Sequence, residues 1–398
     1  MNYDHYFDEY VERIGTESAK WEDYKGRFME YDTEGCIPMW VADMDFKCPQ
    51  EVIDAVCEKA KFGVYGYCTQ MPERFVNAAK NWMKKRHNWD IRSEWVVFSP
   101  GVVPVLAHSV MAFTEPGDGV IVQMPVYYPF HAAIENKGRV LKNNQLLLKN
   151  GRYEIDFENL EELASDPKTK LMLFCSPHNP VGRVWTRDEI SRVCEICLKH
   201  QVILVSDEIH SDLLFNGVHF TATGAIDSRY ADNCISCYAP SKTFNMAGLE
   251  ASAIIVPNPD IRARLKNEFA KTRLPAMNVF VSTAVEAAWT YGEPYIDGVM
   301  KYIESNVDYA IDYLAKHAPK IKIMRPEGTY LVWIDLRELG LSPKETNRFF
   351  IERAGIAVDF GTWFGSGGEG FVRMNFACHR TTLEKALDRI RIAYEKEF

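Results

Sequence analysis

The chain has 398 residues, 47% hydrophobic and 25% charged, a balance that suits a globular protein with one large domain and a smaller one. A net charge of -9 argues against nucleic acid as the main partner, because phosphate binding wants a basic surface. No apolar run reaches the length of a membrane span, and the charged, aromatic start MNYDHYFDEYVERIG lacks the basic start and apolar middle of a signal peptide, so a cytoplasmic location is expected.

In chain order, EWVVFSPG (94–101) reads as a strand followed by the helical VVPVLAHSVMAF, and GVIVQMP (119–125) as a strand followed by VYYPFHAAIENKG. KLMLFCSP (170–177) leads to the helix TRDEISRVCEICLKH, where Thr186 and Glu189 form a capping box. QVILVSDE (201–208), NCISCYAPSK (233–242) and ASAIIVPN (251–258) are further strands. Strands alternating with helices imply an α/β fold with a mostly parallel sheet covered on both faces. From about residue 286 a long helix leads to GTYLVWIDL, GIAVDF, GFVRMNFA and a last helix. The expected division is a large domain over 50–285 and a smaller α+β domain formed by 1–49 with 286–398.

Among the ten cysteines, two pairs have C-x-x-C spacing, Cys194/Cys197 and Cys234/Cys237. The first pair lies on a helix, with Cys197 on its buried stripe. The second lies on a strand, where residues three apart point to opposite faces and cannot share one metal. Buried structural thiols are the expectation, without disulfides.

In an open parallel sheet, ligands bind beyond the carboxyl ends of the strands. The first strand ends at Gly101 before a helix, offering the Val102 and Val103 amides to an anion. The second brings Tyr127 and Tyr128 to the sheet edge, and the third ends in SPHNPVG, presenting Asn179. The fourth delivers Asp207 from an apolar run, where a carboxylate wants a cationic partner. The fifth ends in APSK with Lys242, an amine whose pKa such a setting lowers. A phosphate nest, a stacking aromatic, an amide donor, a buried carboxylate and an activated lysine together suit pyridoxal 5'-phosphate. That cofactor needs a lysine for its Schiff base and a carboxylate to keep its ring nitrogen protonated.

SPHNPVGRVW, SDEIHSDLLF and APSKTFNMAGL, in that order, resemble the fold-type-I pyridoxal-phosphate enzymes, the aspartate aminotransferase-like fold. More narrowly the chain resembles the C–S β-lyases, bacterial cystathionine β-lyases of the MalY/PatB type. RIGTESAKWE, MWVADMDF, YGYCTQ, SPGVV, PVYYPF and FVRMNFACHR fit the same family. The resemblance implies that Lys242 is the Schiff-base lysine, that Asp207 partners the pyridine nitrogen and that Asn179 bonds the phenolic oxygen. It implies that Tyr127 stacks on the ring with Tyr128 beside it near the substrate, and that Gly101, Val102, Val103 and Ser241 surround the phosphate. Tyr67 would reach the phosphate of the other subunit, which implies a homodimer. Arg373 would clamp the substrate α-carboxylate bidentately, with Asn375 on the same strand face and Trp40 near the substrate.

Two positions depart from the aminotransferases of this fold. Glu250 stands eight residues after Lys242, where those enzymes usually place an arginine, and His210 stands three after Asp207, where many have a tyrosine. Both departures favour elimination over transamination. The expected reaction is cleavage of the Cβ–S bond of cystathionine or a related S-substituted cysteine to a thiol, pyruvate and ammonia, without a metal. The alternatives are a class I/II aminotransferase and an additional regulatory role through a protein partner. Within SDEIHSDLLF, Asp207 is assigned to the cofactor, Glu208 and Asp212 to loop or capping roles, and His210 to a place beside the cofactor. The stretch GTWFGSGGEG (361–370) reads as a flexible loop near the leaving group.

Overall fold

A computed structural model describes residues 3, 5–69 and 71–398; Gln70, the last residue of YGYCTQ, lies outside the described residues. The main sheet has seven strands: β1 (Val96–Ser99), β2 (Gly119–Val122), β3 (Val140–Asn143), β4 (Thr169–Cys175), β5 (Ile203–Asp207), β6 (Cys234–Tyr238) and β7 (Ser252–Ile255). Their order is β1-β7-β6-β5-β4-β2-β3. The pairs from β3 through β6 are parallel, and β7 runs antiparallel to both β1 and β6.

Apart from the edge strand β3, these strands are near-continuous apolar runs because both faces are covered. Val120 and Val122 pack on one side with Val105 and Leu106 of the helix Val102–Phe113, while Ile121 packs on the other with Ile190 and Val193 of the helix Arg187–Lys199. The alternation follows from the two-residue period of a strand. Thr186 caps the second helix with the expected reciprocal box to Glu189.

Two elements depart from the sequence reading. β3 forms the sheet edge, where VLKN mixes polar and apolar residues, as an edge strand does. Leu147–Lys149 and Arg152–Glu154 make a hairpin around Asn150 and Gly151, whose φ values of 51° and 76° suit the tight turn that Asn-Gly favours.

A second sheet joins β8 (Lys322–Met324), β9 (Leu331–Asp335), β10 (Asp359–Phe360) and β11 (Phe371–Asn375), all antiparallel, in the order β8-β9-β11-β10. Ile37–Pro38 pairs in parallel with Ile356–Ala357, fastening the N-terminal segment near this sheet. The stretch 361–370 is tightly packed: a Cβ on Gly361 would lie 2.0 Å from the Gly368 carbonyl oxygen. The expectation of a loose loop is corrected on that ground, since the two backbones approach as only glycines permit.

The segment 41–45 is pinned from the N-terminal side. Arg13 donates to Asp43 and Asp45 at 2.9–3.0 Å, and the fully buried Lys20 donates to Asp45 at 2.7 Å. Removing one partner of such a buried pair costs about 3–5 kcal/mol. Among the described residues, no helix is long and apolar enough to cross a membrane.

Candidate active site

The carboxyl ends of β2, β4, β5 and β6 and the β1–helix junction open onto one cleft of about 270 Å³. Gly101, Val102, Val103, Tyr127, Asn179, Asp207, His210, Ser241 and Lys242 all line it. Gly101 has φ 123°, a conformation that strains any residue with a Cβ, and it precedes a helix of 12 residues whose first amides have no intrahelical acceptor.

Asp207 ends β5 with a buried carboxylate whose one hydrogen bond from a described residue comes from the Ile209 amide at 3.2 Å. Burial pushes its pKa up to about 7, against the Ile209 bond and the positive charge of Lys242. It is a carboxylate short of a cation. Lys242 sits one short helical turn beyond β6, in Pro240–Thr243, and its Nζ donates to the Ala42 carbonyl at 2.6 Å. Burial lowers the amine to about 8, with Asp43 and Asp207 pulling upward and Arg373 downward.

Asn179 accepts from Arg373 Nη1 at 2.9 Å through Oδ1, and no described residue accepts from its Nδ2. His210 is buried, with Tyr330 edge-on at 6.1 Å. Burial, followed by the charges of Lys242 and Arg373, drops its imidazole to about 3, so the ring is neutral at physiological pH. Glu250 lines the cleft at φ 53°, leaving Lys242 as the single lysine or arginine among the lining residues.

The other expected residues lie around this centre. Arg373 on β11 is buried and ion-paired with Asp359, and its Nη2 also donates to the Trp40 carbonyl at 3.1 Å. Tyr128 packs against Tyr127, with ring centroids 5.0 Å apart, and meets Trp363 edge-on at 6.3 Å. Trp40 is half-buried, its indole N–H donating to the Lys20 carbonyl at 3.0 Å. Asn375 is fully buried and committed: its amide donates to the Val41 and Asp43 carbonyls, and its Oδ1 accepts from Ala377. Tyr67 is fully exposed and does not line the cleft of its own chain.

Glu208 and Asp212 lie in the loop that follows β5, and both are buried there as anchors. Glu208 accepts from the Thr223 amide at 3.1 Å, from Ser206 at 2.8 Å and from the Tyr238 hydroxyl. Asp212 accepts from Thr243 at 3.1 Å and Trp82 at 3.3 Å, with His87 3.2 Å away. Both brace the strand ends that carry Asp207 and Lys242. The four C-x-x-C cysteines are buried. Sequence reasoning passed over Asp359, Ala42 and Tyr330, whose hydroxyl shares the Ala42 carbonyl with Lys242 at 2.9 Å. A lone acid in the apolar GIAVDF was a signal for Asp359; a backbone carbonyl leaves none.

The residues fit pyridoxal 5'-phosphate on chemistry: an amine to hold it, an under-partnered carboxylate for a cationic ring nitrogen, a free amide donor and a helix N-terminus for phosphate. The sequence matches the family Aminotransferase class I and II over residues 34–390. The chain belongs to that family. It is 44% identical to cystathionine beta-lyase PatB of Bacillus subtilis over 387 residues, covering 97% of this chain and 99% of PatB. It is 31% identical to protein MalY of Escherichia coli, with 96% of each chain covered. The structure of cystalysin from Treponema denticola, which contains pyridoxal 5'-phosphate, superposes with a TM-score of 0.94 at 41% identity, covering 98% of both chains.

Proposed function

We propose that this family member is a pyridoxal-phosphate-dependent C–S β-lyase that cleaves cystathionine or related S-substituted cysteines to a thiol, pyruvate and ammonia. The observation that carries the reading is the convergence of Lys242, Asp207 and Asn179 on one cleft, with Arg373 hydrogen-bonded to Asn179. The bound cofactor would supply an electron sink for the charge that develops at the substrate α-carbon.

Lys242 would hold that group through Nζ, Asp207 would pair with its ring nitrogen, and Asn179 Nδ2 would donate to its phenolic oxygen. Tyr127 would cover the ring, and Gly101, the Val102 and Val103 amides and Ser241 would hold the phosphate. Arg373 would bind the substrate α-carboxylate. Once freed by the incoming amino acid, Lys242 accepts the α-proton, its lowered pKa keeping a useful fraction of neutral amine. The Ala42 carbonyl aims that amine. His210 stays neutral beside it, and Tyr128 walls the leaving-group side together with Trp40. Asn375 acts here as the brace of the 41–43 segment, in place of the direct substrate contact its strand face suggested.

The exposed apolar side chains Phe62, Val64, Tyr65 and Tyr67 favour a homodimer in which Tyr67 completes the partner's site. The proposed division into a large domain (50–285) and a small one (1–49 with 286–398) accords with the two sheets, and the proposed location is the cytoplasm.

Transamination is the second reading, favoured by the family match itself. Incubation with cystathionine alone separates the two. Catalytic pyruvate release without a keto acid supports the lyase; dependence on 2-oxoglutarate overturns it. Lys242→Ala should lower pyruvate release by at least about 100-fold and abolish the visible absorbance of the covalently held cofactor.

A further inference from the structure

Arg27 ends the short helix Tyr24–Arg27 with its side chain exposed. Its guanidinium carbon lies 4.2 Å from the Trp363 ring centroid and 5.9 Å from that of Tyr128. It forms no hydrogen bond or ion pair with any described residue through that side chain. Arg229, Arg325 and Arg337, also exposed, each hold a carboxylate, whereas Arg92 and Arg192, like Arg27, lie over an aromatic ring; what sets Arg27 apart is where its rings stand. Two aromatic rings therefore hold a cation in place while its five N–H donors remain free.

The position of those rings gives the cation a meaning. Tyr128 packs on Tyr127, which lines the cleft, and on Phe364, whose ring lies 5.0 Å from the Arg373 guanidinium carbon. Trp363 is itself fixed by stacking on Phe28 at 5.7 Å and by Phe360 at 4.9 Å. Arg27 thus stands beyond the aromatic wall on the Arg373 side of the cleft. Arg373 has its own carboxylate, Asp359, whereas Arg27 has none in contact. The sulfur substituent of a substrate held by its α-carboxylate at Arg373 would meet Arg27 if it ran past Tyr128.

We propose that Arg27 is a specificity-determining residue that receives a carboxylate on the leaving thiol, so that S-substituted cysteines with an acidic substituent are preferred over neutral S-alkyl ones. This rests on the lyase reading above. The planar fork matches a carboxylate bidentately, and the indole beneath it shields one face from water, where the ion pair gains strength.

The test compares S-(2-carboxyethyl)-cysteine with S-propyl-cysteine, similar in length and different in charge, using the cofactor-loaded enzyme and pyruvate release. The wild type should show the higher kcat/KM for the acid. Arg27→Gln should lower the acid-to-neutral ratio of kcat/KM by about tenfold, through KM rather than kcat. Arg27→Lys should restore part of that ratio, because it keeps the charge and loses the fork. The neutral substrate serves as the internal reference against a general loss of fold. If both substrates are cleaved and Arg27→Gln leaves the ratio unchanged, the assignment of Arg27 is overturned while the lyase reading stands. If neither yields pyruvate without a keto acid, the lyase reading falls and this assignment falls with it.

Discussion

Asp359 lies directly across the strand pairing from Arg373, and the two side chains, 1% and 2% exposed, form an ion pair. The guanidinium is divided among Asp359, Asn179 and the Trp40 carbonyl, while Arg373 Nε and Asp359 Oδ1 find no hydrogen-bond partner among the described residues. Asp359 therefore orients the fork without saturating it. Burial lifts the Asp359 carboxyl to about 6, against the lowering influence of Arg373 and Arg27. Asp359→Asn should leave a buried guanidinium without its anion and destabilise the protein by about 3 kcal/mol. Urea denaturation of the holoenzyme measures this; an unchanged midpoint would show that the pair contributes nothing.

Asp207 makes the apoprotein pH-sensitive in a direction that can be worked out. Folding raises its carboxyl from the ordinary 3.8 to about 7. Between those values the folded chain keeps a proton that the unfolded chain has released, so stability falls as pH rises through the window and stays low above it. A neutral amide at this position would carry no such penalty. The Asp207→Asn apoprotein should therefore exceed wild-type apoprotein in stability by on the order of 3 kcal/mol near pH 8, with the gap closing toward pH 4. The same change should weaken cofactor binding, because the ring nitrogen loses its counter-ion. Denaturation at several pH values and a cofactor titration check both; equal pH profiles for the two apoproteins would refute the first.

The proposed crossing of Tyr67 between subunits makes a complementation experiment decisive. Lys242→Ala and Tyr67→Ala homodimers should each be impaired. A mixed dimer has one site carrying both defects and one site carrying neither. Reassorted equal mixtures should regain about a quarter of wild-type pyruvate release. Activity equal to the average of the two parents would place Tyr67 in its own subunit's site or in none.

Much of the site was legible because each residue stands at a strand end, and strand ends can be read from apolar runs. Asp207 and Lys242 follow VILVS and ISCYAP, so their depth and their place at one sheet edge come from the same pattern. Tertiary pairing was not legible. Asp359 and Arg373 are joined only by the β10–β11 register, and Lys20 meets Asp45 across 25 residues that no periodicity spans. The burial of Glu208 and Asp212 was not legible for a related reason. Nothing in a polar stretch marks an acid as buried, but here a backbone amide, hydroxyls and an indole from distant segments donate to them.

His210 is the residue whose role the neighbouring groups constrain most. Burial, followed by the charges of Lys242 and Arg373 beside it, lowers its imidazole to about 3 and so keeps it neutral at physiological pH. Its Nδ1 has no hydrogen-bond partner among the described residues. A neutral ring of this kind shapes the cleft and offers one donor or acceptor, but it does not exchange a proton between about pH 5 and 9. His210→Asn should therefore lower kcat/KM without moving the pH at which it rises or falls, since those limbs belong to Lys242 and the substrate amine. The profile of pyruvate release from about pH 5.5 to 9 decides the matter. A limb present in the wild type and missing from His210→Asn would mean that the imidazole titrates there, and that a charge or solvent reaches it through the open side of the cleft.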